Sequence, residues 1–535
     1  VRGDLLIEDI SDSDGPFREE STVRPSFERL GDFLIADELL GRIDSAQIEE
    51  SCRPGGLLYG LIGTTESVQQ NSGVISALSI LIPEKVAGME IASLIEDESV
   101  SHAVLKITVE SFPWRDTSSF TSSSIALMYE ALRMEGFAWD AMDAVLSISW
   151  QPSPIDAIWI DNMLKQSHLA NRDAFWCGFL HNRYEAVGPV RRLIDAAFEL
   201  PLGQVEAGIA DRWATMLLWF TAAADRRVKD WSTRAAVALL AARPEVIPKV
   251  LSRLLESDDD EIRERTLLSS YGALINAQDR EVVRAITSDL QIMFRRNPLK
   301  FDNALVRDHI RCITELAHEL DALPEGCELE LTMRPIGSTW PLHIPSDEDV
   351  KKWDDLPKLS RSCLDDDFYV YSMGCLRPWE NAVSRRDMGK WILRRIADEF
   401  AYEGSGCENY DKYMLGNFGG GRGKKTWAER VGKKYQWIAL YQLASHLHDH
   451  VDRKRDSWEP ELQRTPLILL EERKFDPTLP SCMRGGERDV DAWWIGSSAD
   501  LRVGEDLSDD EWVDYQEDLP SLEDMLAVQQ RDDQR

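Results

Sequence analysis

DWSTRAAVALLAA (230–242), DEIRERTLLSSYGALI (260–275) and DHIRCITELAHEL (308–320) are the stretches whose shared pattern decides the fold. In each, an aspartate opens the segment (Asp230, Asp260, Asp308). An arginine follows within one helical turn (Arg234, Arg263, Arg311), and an apolar run completes it. An acidic turn, an arginine and an apolar helix, repeated at spacings of roughly 30–50 residues, resembles HEAT-like or TPR-like repeats. One such helix pair cannot bury its apolar face alone, so neighbours stack into a solenoid. An irregular helical bundle with chance spacing is the plainer alternative.

Outward from these stretches the same texture covers about 65–325. Apolar residues recur at three- and four-residue intervals, and short Gly, Pro, Asp and Asn turns separate them. Around residue 325 it changes. Glu328 to Met333 alternates apolar and polar, and Pro, Gly and Trp become frequent through Arg334–Pro345. A smaller mixed α+β carboxy-terminal domain is therefore expected over 326–535, with short strands and long loops. Within it, Arg385–Phe400 and Tyr435–His448 predict helices. In the second, Trp437, Leu440, Tyr441, Ala444 and Leu447 form one stripe. At the other end, Leu5–Ile7 reads as a strand before an acidic turn. The turn's Asp9, Asp12, Asp14 and Gly15 miss the register of a calcium loop. Residues 23–45 predict a helix with Pro25 in its first turn, and with Phe27, Leu30 and Leu34 on one face. The expected organisation is thus 1–45, a helical-repeat region 46–325, and 326–535. Single cores stop growing at roughly 250–300 residues, so 535 residues call for several domains.

The net charge of −33 argues against a general nucleic-acid binder, which needs a positive field. It suits plain solubility or a basic partner. The chain begins at Val1, which points to a piece of a longer protein. No secretory signal is visible, and the most apolar stretch, Val74–Ile95, is broken by Pro83, Glu84 and Lys85. The 8 cysteines form no Cys-x-x-Cys pair and read as free thiols of a cytoplasmic protein.

Candidate chemistry is sparse. Gly416, Gly419, Gly420, Gly421 and Gly423 precede Lys424, Lys425 and Thr426. A phosphate loop ending at Gly423-Lys424 would need glycine where Phe418 stands and a hydroxyl where Lys425 stands. A glycine-rich surface loop is favoured over an anion-binding nest. Arg422, Lys424, Lys425, Arg430, Lys433 and Lys434 form a positive island. It could meet phosphate, nucleic acid or an acidic partner, and the chain's own acidic tail from Asp500 is the favoured match. His446, His448 and His450 cannot all reach one metal from a helix, so no metal site is expected. The carboxylate triplets Asp258–Asp260 and Asp365–Asp367 read as solvated turns, the first also capping a helix. Trp493-Trp494 is a candidate contact pair, since Trp is enriched at binding hot spots; anchoring a small core is the alternative. Neither catalytic nor cofactor-binding residues are assigned. The partner-binding candidates are Trp493, Trp494, Arg422, Lys424, Lys425, Lys433 and Lys434.

Four stretches carry a family resemblance: Val23–Leu40, Asn171–Trp176, Ala235–Leu240 with Asp260–Gly272, and Glu429–Ala439. Together they resemble the antiviral STAND NTPases of bacteria (Avs or AVAST, NACHT-like). Glu429-Arg-Val-Gly-Lys-Lys-Tyr-Gln-Trp-Ile-Ala439 is the most specific. Pro25 departs from the usual aromatic or aliphatic residue. The resemblance implies an amino-terminal effector, a central ATPase and a carboxy-terminal helical-repeat sensor. The sensor of such a protein binds a core phage protein, the large terminase subunit or the portal. Binding then drives ATP-dependent oligomerisation and switches on the effector. This chain would be the sensor with the end of the winged-helix part at 1–45. It would not be an enzyme itself and would need no cofactor, with ATP and Mg belonging to the parent. A generic HEAT-like scaffold, and a hydrolase using Asp365–Asp367 or His446–His450, are the alternatives.

Overall fold

The aspartates and asparagines that punctuate the sequence are helix caps. Asp225 accepts from the Arg227 N–H, Asp259 from Glu261, Asp279 from Glu281 and Val282, and Asn303 from Leu305 and Val306. Each satisfies amide donors that the first turn leaves without a partner, a gain of about 1 kcal/mol per cap. The computed structural model describes residues 6–12, 19–25, 27–354, 356–417 and 428–452. Among them are 22 α-helices and one two-stranded hairpin.

The repeats lie in two layers. Arg226–Ala242, Asp260–Ala277 and Ala304–Glu319 pack side by side in one, while Ala207–Phe220, Ile247–Leu254 and Arg280–Arg296 form the other. Val237, Leu240, Leu267, Leu274, Ile310 and Ile313 are fully buried. Burying each such side chain contributes about 1.5–3 kcal/mol. Two of the three aspartate–arginine echoes are ion pairs one turn apart, Asp260–Arg263 and Asp308–Arg311, each at 2.8 Å. Asp230 instead faces Arg265 of the next helix in its layer, 3.6 Å away.

Two sequence expectations need correction. The helix expected over 23–45 starts later, at Glu28–Gly41, because Glu19–Pro25 is a strand paired antiparallel with Leu6–Asp12. Pro25 lacks an amide donor, which suits a strand end, and it holds Arg24 extended. The expected strands after residue 325 are absent from the described residues 326–452, which are helices, tight turns and loops. The alternating Glu328–Met333 closes into a single 3-10 turn at Leu331–Met333. Pro335, Pro341 and Pro345 remove ladder donors just beyond it. The two predicted helices form, as Arg385–Arg394 with a wider turn Arg395–Glu399, and as Val431–His450.

The Val431–His450 helix is buried nearly all round, and polar side chains fix it to the repeats. Lys434 Nζ lies 2.7 Å from both Asp173 Oδ2 and Asp259 Oδ2, and Tyr435 donates to Asp173 at 2.9 Å. Gln442 donates to Asp260 at 2.7 Å. At the far end, Arg307 meets Ser445 at 2.6 Å and Asp449 at 3.0 Å, and donates to the Thr332 and Arg334 carbonyls. Asp411 caps the helix start, accepting from Val431 at 2.7 Å and Gly432 at 3.0 Å. A Cβ at Gly432 would stand only 3.2 Å from Asp411 Oδ2, so the cap uses the absence of a side chain there. The second core, which includes Trp353, Trp391, Tyr435 and Leu440, also takes in Leu169, Ala170, Ala304 and Leu305 from the repeats.

Removing one partner of a buried ion pair leaves the others uncompensated. Lys434→Met should therefore lower unfolding stability by about 3–5 kcal/mol in chemical denaturation. Adding Asp173→Asn should restore part of the loss, since Arg172 still lies 3.5 Å from Asp259. A single variant within 1 kcal/mol of the parent, by about the error of such measurements, would contradict the lock.

Candidate functional site

The repeats and the last helix leave a polar cleft between them. The opening turns of Arg226–Ala242, Asp260–Ala277 and Ala304–Glu319 form one wall. Arg430, Lys433, Trp437 and Tyr441 form the other, and the turn around Tyr371–Cys375 closes the side. Its volume is about 810 Å³, within the range of ligand sites. A backbone bridge between Asp225 and Ala428, with the Glu429 N–H donating to the Ala224 carbonyl at 2.9 Å, ties the two walls at the mouth.

Charges inside the cleft are mostly paired. Lys229 holds Glu261 at 2.9 Å and Lys433 holds Glu429 at 3.3 Å. Arg265 lies 3.5 Å from Glu261, 3.8 Å from Glu264 and 3.6 Å from Asp230. His309 faces Glu264 at 3.9 Å. Burial opposes charge on His309, but its hydrogen bonds to Cys312 and Glu264 and the nearby Asp308 outweigh this and push its pKa up to about 9. Among the described residues, Arg226 and Arg430 line the cleft without an ion pair. Arg226 is exposed and Arg430 half-buried. Trp437 packs edge-on against Phe368 at 5.6 Å and stacks with Tyr441 at 5.9 Å, while Tyr371 is 82% exposed at the rim.

The sequence-predicted residues are distributed differently. Of the positive island, Arg430, Lys433 and Lys434 all line the cleft, but Lys434 is 4% exposed and its ammonium is engaged by Asp173 and Asp259, so it is no surface contact. Burial raises Asp173, while Asp259, equally buried, is held low by Lys434, Arg172 and the Glu261 N–H. Trp493, Trp494, Arg422, Lys424 and Lys425 lie outside the described residues. The solvated-turn reading of Asp258–Asp260 holds only for Asp258; Asp259 and Asp260 are buried. Asp365 and Asp366 are exposed, and Asp367 caps the turn that follows. His446 approaches Asp302, His448 approaches Asp449, and His450 bonds Ser338 and stacks on Trp340. These imidazoles and carboxylates do not share a site.

Buried thiols are held protonated. Burial pushes Cys363 and Cys407 each up to about 12 and raises Cys177 as well. Two clusters bring three metal-type donors together, Asp308–His309–Cys312 and His181–Glu185–Asp225. Each already holds a guanidinium: Arg311 on Asp308 at 2.8 Å, and Arg227 on Asp225 at 2.8 Å. Sequence reasoning missed Arg226, Tyr371 and His309. The available signal was positional: Lys229, Arg265 and His309 all stand in the second turn of successive helices of one layer.

A raised His309 pKa stabilises the fold fully below about pH 6.5, and this is lost as pH rises through about 9. A loss on the order of 3 kcal/mol is expected across that window. Denaturation curves of His309→Gln should lack this step. An identical alkaline profile in the variant would contradict it.

Comparison with known proteins finds no family model, no curated protein and no solved structure that matches the chain.

Proposed function

We propose that the chain is the protein-recognition region of an antiphage STAND NTPase, with a core phage protein as its ligand. The observation that carries most of this reading is the layered helical array ending in a polar cleft at its junction with the last helix. Such arrays offer broad surfaces for folded ligands. Among the described residues, the carboxylate, histidine and thiol groups that could do chemistry are paired, dispersed or held neutral, which favours binding over catalysis. The stretches at 23–40, 171–176, 235–240 with 260–272, and 429–439 add the family resemblance. Two of them supply lock residues: Asp173 comes from the second, and Lys434 and Tyr435 from the fourth.

In this reading the chain works in the cytoplasm, is not itself an enzyme and holds no cofactor. Self-association and ATP use belong to the parent's ATPase module. No helix among the described residues is long and apolar enough to cross a membrane. The net charge of −33 would steer the chain toward the basic, DNA-handling faces of a packaging protein.

Co-expression of the full chain with a phage large terminase subunit, and separately with a portal protein, tests the proposal. Stable co-purification with one of them is expected. Association with neither would favour a generic helical scaffold. For the bound pair, the association rate should fall as salt is raised, since the Debye length shrinks from about 10 Å at 0.1 M to about 3 Å at 1 M. A salt-independent rate would remove the steering step.

A further inference from the structure

The cleft carries an imbalance that its own residues do not resolve. Each of its acidic residues has a partner. Glu429 has Lys433, Glu261 has Lys229 and Arg265, Asp230 has Arg265, Glu264 has Arg265 and His309, and Asp260 has Arg263 and Gln442. Among the described residues, Arg226 and Arg430 make no ion pair, although the Arg430 charge also helps hold the buried Asp411 ionised. Both are placed by the same staple: Arg226 follows Asp225 and Arg430 lies two residues beyond Ala428, the two ends of the bridge. The bridge fixes only where their backbones enter the cleft wall. An arginine fork offers two parallel N–H donors that match a carboxylate. Beside them, the exposed Tyr371 ring and the edge of the Trp437–Tyr441 stack offer apolar surface.

We infer that the cleft binds an acidic peptide segment, with its carboxylates on Arg226 and Arg430 and an adjacent aromatic or aliphatic side chain against Tyr371 and Trp437. This rests on the recognition reading and narrows it to a loop or terminus of the partner. A polyphosphate fits less well. Its multiple charges would meet the carboxylates of Asp230, Asp260, Glu261, Glu264 and Glu429, whereas two carboxylates match two guanidiniums one to one.

The test is a selection of random 12-residue peptides on the immobilised full chain. Enrichment of Asp or Glu beside an aromatic or aliphatic residue is expected. The best peptide should lose about tenfold or more in affinity against Arg226→Glu/Arg430→Glu, as for a broken charge-assisted pair. Arg226→Gln and Arg430→Gln, each checked for an unchanged melting temperature, keep the test valid if the reversal disturbs folding. Tyr371→Ala should weaken the same peptide. No enrichment, enrichment of basic peptides, or peptides indifferent to both arginine substitutions would each overturn the inference. So would ATP or pyrophosphate binding, measured by calorimetry, that depends on Arg226 and Arg430 in the absence of peptide enrichment. Because no phage protein is used, failure of the terminase or portal assignment gives a different result from failure here.

Discussion

Lys434 stands 2.7 Å from each of two carboxylates contributed by separate parts of the repeat array, with its side chain 1% exposed. Taking these charges out of water costs several kcal/mol per ion, and only good geometry offsets it. A displacement of the last helix by one residue would carry the ammonium about 1.5 Å along the axis and about 100° around it. Both carboxylates would then lose their closest cation and be left only with the more distant Arg172, 3.5 Å from Asp259 and 3.8 Å from Asp173. Arg307 and Asp449 impose the same condition near the other end. An apolar helix could slide or rotate among near-equivalent packings, but one pinned at both ends has a single register. That register decides what the helix shows to the cleft, where Arg430, Lys433, Trp437 and Tyr441 follow one another at helical spacing.

The same constraint explains which parts of the fold were legible in the sequence. The repeat helices were readable because their signals are local: an aspartate or asparagine cap, then apolar residues at three- and four-residue spacing. Asp259 and Asp279 cap where that pattern places a turn. The interior lock was not readable. Lys433 and Lys434 are consecutive in a basic run and look alike in sequence. A helix turns about 100° between them, so Lys433 pairs with Glu429 on the half-buried wall while Lys434 turns to the buried carboxylates. Only the partners, 175 and 261 residues away along the chain, separate their roles. The triplet Asp258–Asp260 divides in the same way.

The strand expected at Leu5–Ile7 forms within Leu6–Asp12, whereas the alternation at Glu328–Met333 gives no strand for a related reason. Period-two alternation over a few residues is weak when nothing nearby can pair with it. Glu328–Met333 has no adjacent strand among the described residues, and the Gln291 side chain instead bonds both the N–H and the C=O of Glu328. Conversely, Glu19–Pro25 has a partner seven residues long in perfect antiparallel register, and pairing overrode the helical spacing that begins near Phe27.

Charge acts on two length scales in this chain. Asp and Glu number 94 against 61 Lys and Arg, so an arginine placed at random finds a carboxylate readily. The overall field is negative, yet at physiological salt it is screened within about 8 Å. Inside the cleft the nearest groups dominate, and there, among the described residues, Arg226 and Arg430 make no ion pair while the lining carboxylates do. A packing gap between two parts of an acidic protein would leave surplus carboxylates, the opposite of what is found. The Asp225–Ala428 bridge brings the segments carrying Arg226 and Arg430 together on the cleft lining. A ligand approaching this chain would therefore meet repulsion or attraction according to its overall charge at a distance, and the reverse preference once at the cleft.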